Sequence, residues 1–259
     1  MRGLAVLGKV DAIAAEDTRH SRRLLDHFGI RTRLLAVHQH NEQAAADGLV
    51  GLLAQGQHIA LITDAGTPAV SDPGARVVAR VQDAGYPVVP IPGPSAVTAA
   101  LSASGLVEGR FMFVGFLPPK SSARRVELES LAGIPAALVF YEAPHRVVEC
   151  VADIAATLGD VRELVVAREL TKMHEQIARM PLADAAAWFA ADSDRCRGEF
   201  VLIVAPPIAS EGLPPEAERI LRMLLAELPL KTAAKLAAQL SGANKNALYE
   251  RALVLKDEA

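Results

Sequence analysis

The residues best placed to do chemistry stand in one stretch, Thr63-Asp64-Ala65-Gly66-Thr67-Pro68-Ala69-Val70-Ser71-Asp72-Pro73-Gly74. Asp64 can accept hydrogen bonds from an amine or hydroxyl, and Gly66 lets backbone approach a ligand closely. Asp72 reads as the N-cap of the helix that follows, with Pro68 and Gly74 shaping the turn. Basic residues cluster elsewhere: Arg19, His20, Arg22 and Arg23; Lys120, Arg124 and Arg125; His145 and Arg146; Arg168 and Lys172. On a chain of net charge −3, four such clusters favour a polyanionic substrate over diffuse solubility charge. Pairing with Glu16, Asp17, Glu142 and Glu169, each a few positions away, would neutralise some of them.

Elements of α/β type must position these loops. His58 to Ile62 is short and β-branched enough for a buried parallel strand, and Ala75 to Ala84 has helical apolar spacing. A strand, an acid-Gly-Thr-Pro loop and a helix form the place where open α/β sheets bind ligands. Met1 to Lys9 reads as a helix, Val10 to Ala15 as a strand, and Asp17 or Thr18 caps a helix to Phe28. Strand Arg33 to Val37, helix Glu42 to Ala54 and strand Pro87 to Ile91 continue the alternation. Pro92-Gly93-Pro94-Ser95-Ala96 then feeds helix Ala96 to Ser104. The first N–H groups of that helix and the Ser95 hydroxyl suit a carboxylate or ribose, and a helix simply packed on the sheet fits equally well.

The second half repeats the pattern. Strand Phe111 to Phe116 and the hinge-like Leu117-Pro118-Pro119-Lys120 precede helix Ser122 to Leu131. Strand Ala136 to Tyr141 runs into Glu142-Ala143-Pro144-His145-Arg146 and a helix to Leu158. Strand Leu164 to Ala167, helix Met180 to Ala190 and strand Glu199 to Ala205 follow. After a linker at 206–215 come three helical patterns, Glu216 to Glu227, Lys231 to Leu240 and Asn244 to Leu255. The last two, joined at Ser241-Gly242, have helix-turn-helix length and turn chemistry, and Lys245, Asn246 and Tyr249 share a face that could touch nucleic acid. This predicts an α/β fold with domains at 1–116 and 117–206 and a helical extension at 215–259.

Composition narrows the function. The 259 residues are 51% hydrophobic and 22% charged, which is globular composition. Cys150 and Cys196 are too few for a disulfide framework or zinc site, and no apolar run reaches membrane-spanning length, so a cytosolic protein is expected. His38 and His40 would share a face in extended chain, but with no third ligand evident they read as a hydrogen-bonding loop and no metal is expected. The Walker lysine loop, the G-x-G-x-x-G turn and the G-x-S-x-G elbow are all lacking.

Taken together, these loops resemble the tetrapyrrole-methylase superfamily and, within it, the bacterial 16S ribosomal RNA cytidine-2′-O-methyltransferases. The resemblance rests on Ala14 to Leu25, His40-Asn41-Glu42, Asp64 to Gly74, Pro92 to Ala96, Gly115-Phe116-Leu117-Pro118 and Phe140 to Arg146. Arg168 to Lys172, Gly198-Glu199 and Lys245 to Tyr249 complete it, so it runs through nearly the whole chain in family order. It implies S-adenosylmethionine in a cleft between two α/β domains, a homodimer, and a decoding-region cytidine of 16S rRNA in the small ribosomal subunit as target. Carried over by position, Asp64, Ala65, Gly66, Thr67, Ser95 and Ala96 line the cofactor, and Tyr141, Glu142, Glu169 and Thr171 approach from the second domain. The candidates for the proton acceptor are Glu16, Asp17, His20 and Glu142. The RNA-binding set is Arg19, Arg22, Arg23, Lys120, Arg124, Arg125, His145, Arg146, Lys172 and Lys245.

The family begins with a strand and a Pro-x-Gly-Asn type loop ahead of its first helix, whereas this chain starts inside that helix. A strand of the first sheet and one wall of the site are therefore expected upstream, and restoring them is expected to raise activity and melting temperature. Two other functions suit the same scaffold: methylation of a tetrapyrrole precursor, and non-catalytic binding of RNA or cofactor. The basic loops and helical tail favour RNA over a tetrapyrrole, which calls for a more enclosed apolar pocket.

Overall fold

The computed structural model describes residues 2–38, 41–64, 66–106, 109–207 and 213–257. The chain forms two compact units, Met1–Pro207 and Ile208–Ala259. Gln39, His40 and Ala65 lie outside the described residues.

The first unit opens with helix α1 (Arg2–Leu7), strand β1 (Ala12–Ala15), α2 (Thr18–His27), β2 (Arg33–Ala36), α3 (Glu42–Ala54), β3 (Ile59–Ile62), α4 (Ala75–Asp83) and α5 (Ala96–Ser104). The strands form a parallel sheet in the order β2-β1-β3, with Ala14 opposite both Leu35 and Leu61. All four residues of β1 are buried because helices cover both faces. Ala14 packs with Ala46, Leu49, Val77 and Val81 of α3 and α4, while its neighbour Ile13 packs with Leu25 and Ile30 on the other side. That division is the period-two alternation of a strand.

A second sheet follows: β4 (Phe111–Phe116), α6 (Ser121–Leu131), β5 (Ala137–Glu142), α7 (Val147–Leu158), β6 (Glu163–Arg168), β7 (Gln176–Pro181), α8 (Leu182–Ala190), a 3₁₀ turn at Ser193–Cys196, and β8 (Phe200–Val204). Its order is β4-β5-β8-β6-β7, with β4 parallel to β5 and β8 antiparallel to both its neighbours. The carboxyl ends of β4, β5 and β6 thus share one rim. One face carries the large core around Leu138, Phe140, Ile154, Leu164 and Leu202. On the other face, Val97 and Ala100 of α5 pack against Val139, Val165, Ala167 and Ile203. So α5, which precedes β4 in the chain, belongs to the core of the five-stranded sheet.

Two sequence expectations fail here. Pro87 to Ile91 is not a strand. Pro87 and Pro90 lack the N–H groups a parallel strand must donate, and Val88 and Val89 stay exposed. The helix expected from Met180 starts only at Leu182, because 176–181 forms β7, paired antiparallel with β6 from Arg168↔Gln176 to Glu163↔Pro181. This edge strand alternates inward-facing and exposed residues, with only Met180 buried, so no apolar run announces it.

The second unit holds α9 (Pro215–Leu225), α10 (Leu230–Ser241) and α11 (Lys245–Asp257). Its core of Ala217, Leu221, Ala233, Ala234, Ala237, Leu248, Ala252 and Leu255 is largely alanine, which lets the helices approach closely. Gly242, at φ +71°, closes α10 in the left-handed conformation. No helix among the described residues is long and apolar enough to cross a membrane.

Candidate functional site

Strand ends and the loops after them supply the polar residues of the first unit. At the end of β1, half-buried Glu16 accepts a hydrogen bond from the Thr63 hydroxyl at 2.8 Å. Asp17 caps α2 through the N–H groups of Arg19 (2.8 Å) and His20 (3.4 Å). Hydrogen bonds from the Arg19 side chain and backbone pull the Asp17 pKa down to about 2. The Asp17 N–H in turn reaches Asp64 Oδ1 at 3.3 Å, tying the β1 loop to the β3 loop.

The 63–74 loop is strained and braced. Ala69 (φ +69°) and Ser71 (φ +60°) are non-glycine residues in the left-handed region, a conformation that persists only where the surroundings enforce it. Thr67 donates to the Pro94 carbonyl at 2.8 Å, joining this loop to the one before α5. Buried Glu42 accepts the N–H groups of Gly74 (2.9 Å) and Arg76 (3.0 Å), so α4 is capped by a side chain 32 residues upstream of Gly74. Gly66, at φ +145°, faces open space.

Asp72 is not the N-cap of α4; that position is Gly74. Its carboxyl turns back toward the loop and hydrogen-bonds Thr63. Burial first, and then the neighbouring carboxylates of Glu16 and Asp64, push its pKa up against the effect of that hydrogen bond. Among the described residues no ion pair neutralises Glu16, Asp64 or Asp72. Sequence reading missed this turn because a Pro-Gly pair after an acid is also a normal helix start. The signal that could have found it is Gly74, which has no side chain to cap with and leaves the role to Glu42.

Tyr141 closes the site from β5. Burial raises its pKa, the Val97 N–H donated to its phenolic oxygen opposes this, and nearby Asp72 adds to the rise. The first turn of α5 is therefore partly committed: Val97 N–H goes to Tyr141 and Thr98 N–H to the Ser95 hydroxyl at 3.5 Å. Ala96 packs against the apolar face beneath. Tyr141 and Asp72 bring the two sheets' loops together, with Asp64 and Glu16 on the same side.

The second half's candidates are mostly bound to one another. Glu142 is fully buried, accepts its neighbour's N–H from Ala143 at 2.8 Å, and pairs with Arg146 at 3.3 Å. Arg146 also donates to the carbonyls of Leu117 (2.7 Å) and Pro118 (3.3 Å). The pair pins the 117–118 segment, so both side chains expected at the site are engaged with the fold itself. Arg124 is engaged likewise: it is 1% exposed and locked to Asp153 at 2.6 Å. Arg125 shares Asp153 at 2.7 Å but keeps half its side chain in solvent.

Glu169 (φ +50°) and Thr171 (φ +65°) are again left-handed non-glycine residues, and Thr171 is β-branched, which makes its strain larger. Lys172 reaches Glu169 at 2.8 Å and Glu199 at 2.9 Å. The Glu169 carboxylate also accepts the Glu199 N–H at 3.0 Å and rests on Gly198. Lys172 thus ties the Glu169 turn to Glu199. Arg19 is paired with Asp17 at 3.1 Å. Arg23, Lys120 and His145 are exposed, Arg22 is half-buried, and Lys245 is exposed in the second unit. None of these five has an ion pair among the described residues.

Comparison with known proteins identifies the family. The family model for Tetrapyrrole (Corrin/Porphyrin) Methylases matches residues 1–186, and that for the RsmI C-terminal HTH domain matches residues 211–256. The ribosomal RNA small subunit methyltransferase I of Escherichia coli O157:H7 is 52% identical over 253 residues, covering 97% of this chain and 88% of its own. The protein of the same name from Pseudomonas aeruginosa is 50% identical over 255 residues, covering 97% and 90%. Among solved structures, the methyltransferase CobJ shares the fold at a TM-score of 0.58 and 18% identity, covering 82% of this chain and 89% of its own. A family model matching residues 1–186 and identities of 50–52% over 97% of the chain lead to one conclusion: the chain belongs to the tetrapyrrole methylase family, within the group of ribosomal RNA small subunit methyltransferases I.

Proposed function

We propose that this protein transfers a methyl group from S-adenosylmethionine to the ribose 2′-hydroxyl of a cytidine in the decoding region of 16S rRNA, acting on the small ribosomal subunit. The observation that carries the reading is the group of three carboxylates, Glu16, Asp64 and Asp72, with no ion pair among the described residues, of which Asp72 lies near Tyr141 of the second sheet. The relatives' names supply the substrate class.

The residues present suit the cofactor. It carries positive charge at its sulfonium and amino groups, and an acidic cluster without cations of its own complements that charge. Asp64 is an acceptor for the ribose or amino group, and open space at Gly66 leaves room for close approach. Ser95 and Ala96 flank it from the start of α5, and Tyr141, with the Glu169–Thr171 turn, closes it from the second α/β domain at 117–206. When bound, the cofactor supplies an electrophilic methyl carbon.

The protein's own part is alignment and proton removal. Holding the hydroxyl oxygen in line with the methyl contributes on the order of 7–11 kcal/mol in favourable cases. Asp17, its pKa near 2 and its carboxylate occupied by α2, is a poor base. Glu142 is buried and paired. Asp72, with Glu16 linked to it through Thr63, has the raised proton affinity that the task needs. The Thr63 hydroxyl has one proton to give, so Glu16 and Asp72 cannot both receive it. Arg22, Arg23, Lys120, Arg125, His145 and Lys245 remain available to RNA phosphates, as a salt-sensitive contact. A homodimer and a cytoplasmic location complete the proposal.

The test is transfer of labelled methyl from S-adenosylmethionine to 30S subunits lacking the modification, followed by nucleoside analysis. Label is expected in 2′-O-methylcytidine and is expected to vanish in Asp64→Ala together with cofactor binding measured by calorimetry. Label in another nucleoside, or none despite cofactor binding, would overturn the substrate assignment. Unchanged cofactor affinity in Asp64→Ala would overturn the role of the 63–74 loop.

A further inference from the structure

Phe113 and Phe116 stand three residues apart, so a regular strand would send their rings to opposite faces of the sheet. The pairing of β4 with β5 breaks this pattern. Phe113 lies opposite Val139, Gly115 opposite Phe140 and Phe116 opposite Tyr141, so β4 contains one extra residue between Phe113 and Gly115. Such a bulge re-aims the side chains beyond it. Here it places Phe113, Phe116 and Tyr141 on one face: Tyr141 meets Phe113 edge-on at 5.0 Å between centroids and Phe116 at 5.7 Å. Gly115 adopts φ +82°, and a Cβ there would lie 3.3 Å from Ser71 Oγ. The bulge is thus held where the strained 63–74 loop meets the second sheet.

This aromatic group does not finish as core. Tyr141 and Phe113 are half-buried against α5 and the apolar face, but Phe116 leaves 52% of its surface in solvent at the rim. Tyr141, its ring partner, is also the residue that senses Asp72. An exposed flat ring therefore stands one ring away from Asp72, the carboxylate assigned above to the ribose hydroxyl, and exposed Lys120 follows four residues later on the same segment. Proteins hold unpaired RNA by stacking splayed bases on aromatic side chains, and a ribose presented to the carboxylates brings bases within reach of the ring.

We propose that Phe116, oriented by the Gly115 bulge and backed by Tyr141, is the stacking platform for a nucleobase of the substrate RNA strand. This rests on the RNA methyltransferase reading above. Substituting an exposed ring leaves the fold intact, so melting temperatures should match the wild type. With 30S subunits lacking the modification, Phe116→Ala and Phe116→Leu are expected to raise KM for the subunit roughly tenfold. Phe116→Tyr and Phe116→Trp are expected to retain wild-type KM, and Kd for S-adenosylmethionine is expected to stay within about twofold throughout. Wild-type KM in Phe116→Leu would overturn stacking, since apolar bulk alone would then suffice. A tenfold rise in Kd for the cofactor with an unchanged subunit KM would make the ring an adenine contact instead. A drop in mass by light scattering in Phe116→Ala would make it a protein contact. If the wild type methylates no RNA, the functional reading fails, and the platform is judged without turnover: in a Phe116→Trp, Trp188→Phe protein, saturable quenching of the indole by oligocytidylate supports it and no quenching overturns it.

Discussion

The loops of the two sheets handle their charges in opposite ways. After β1 and β3, Glu16, Asp64 and Asp72 crowd together with no cation paired to them among the described residues. After β5 and β6, and between α6 and α7, carboxylates are matched: Glu142 with Arg146, Glu169 and Glu199 with Lys172, and Asp153 with Arg124 and Arg125. Paired charges with several hydrogen bonds fix loop geometry, whereas like charges held close cost stability and persist where a ligand or a reaction uses them. The difference assigns framework to the second half and chemistry to the first. Each of the following substitutions sharpens or breaks that assignment.

The largest effect is expected at Asp72. Asp72→Asn should lower kcat for methyl transfer by about 10²–10⁴, the range for loss of a general base. Stability should move the other way. A carboxyl whose folded pKa is raised contributes stability below its unfolded pKa and loses that contribution as pH rises through the folded value. At pH 7 the asparagine variant should therefore melt no lower than the wild type. The acid limb of the wild-type pH–rate profile should lie above the usual carboxylate range, since Asp72, whose proton affinity is raised, must release its proton before it can accept one. Wild-type kcat with a lowered melting temperature would place Asp72 with the framework and break the comparison.

The α/β alternation and the three terminal helices were legible because their signals are local: apolar period, caps, and Gly or Pro at the stops. Pro87 to Ile91 misled because its valines suggest a strand while its prolines deny the ladder. At the site, sequence gives charges but not their partners. Arg124 and Asp153 are 29 residues apart, and nothing in either segment foretells that they share a buried pair. The same limit hid Glu42 as the cap of α4, and it left Glu142, Arg146 and Lys172 looking available. The grouping of Phe113 with Phe116 was hidden for another reason: it depends on one extra residue in β4, which only the pairing with β5 exposes.

On the framework side, Arg124→Met should cost about 3–5 kcal/mol in urea unfolding, because it leaves Asp153 buried with a weakened partner set. Asp153→Asn should cost similarly at neutral pH, and its pH dependence carries the sharper information. Burial works to raise the Asp153 pKa, but hydrogen bonds from Arg125, Arg124 and Ser121 outweigh it and hold the group below its ordinary value. A depressed carboxyl contributes stability above its unfolded pKa of about 3.9 and loses it as pH falls through the folded value. The gap between wild type and Asp153→Asn should thus be constant above about pH 5 and shrink below about pH 4. A gap independent of pH would mean that packing, and not charge, holds α6 to α7.

The smaller of the expected losses in stability, and the one that joins the two halves of the comparison, is expected at Gly198→Ala. The residue sits at φ +93°, and a Cβ there would overlap the Glu169 side chain. Glu169 would be displaced from Lys172 and from the Glu199 N–H, and its left-handed conformation would lose the side-chain bonds that brace it. Strain of this kind is on the order of 1–3 kcal/mol per residue, so stability should fall by a similar amount, measured by urea unfolding. If the clamp is framework for the cofactor wall, KM for S-adenosylmethionine should rise while KM for the subunit and its salt dependence stay fixed. A change in the salt slope instead would return Lys172 to the RNA, since a lysine that no longer neutralises its phosphate lowers that slope by about one.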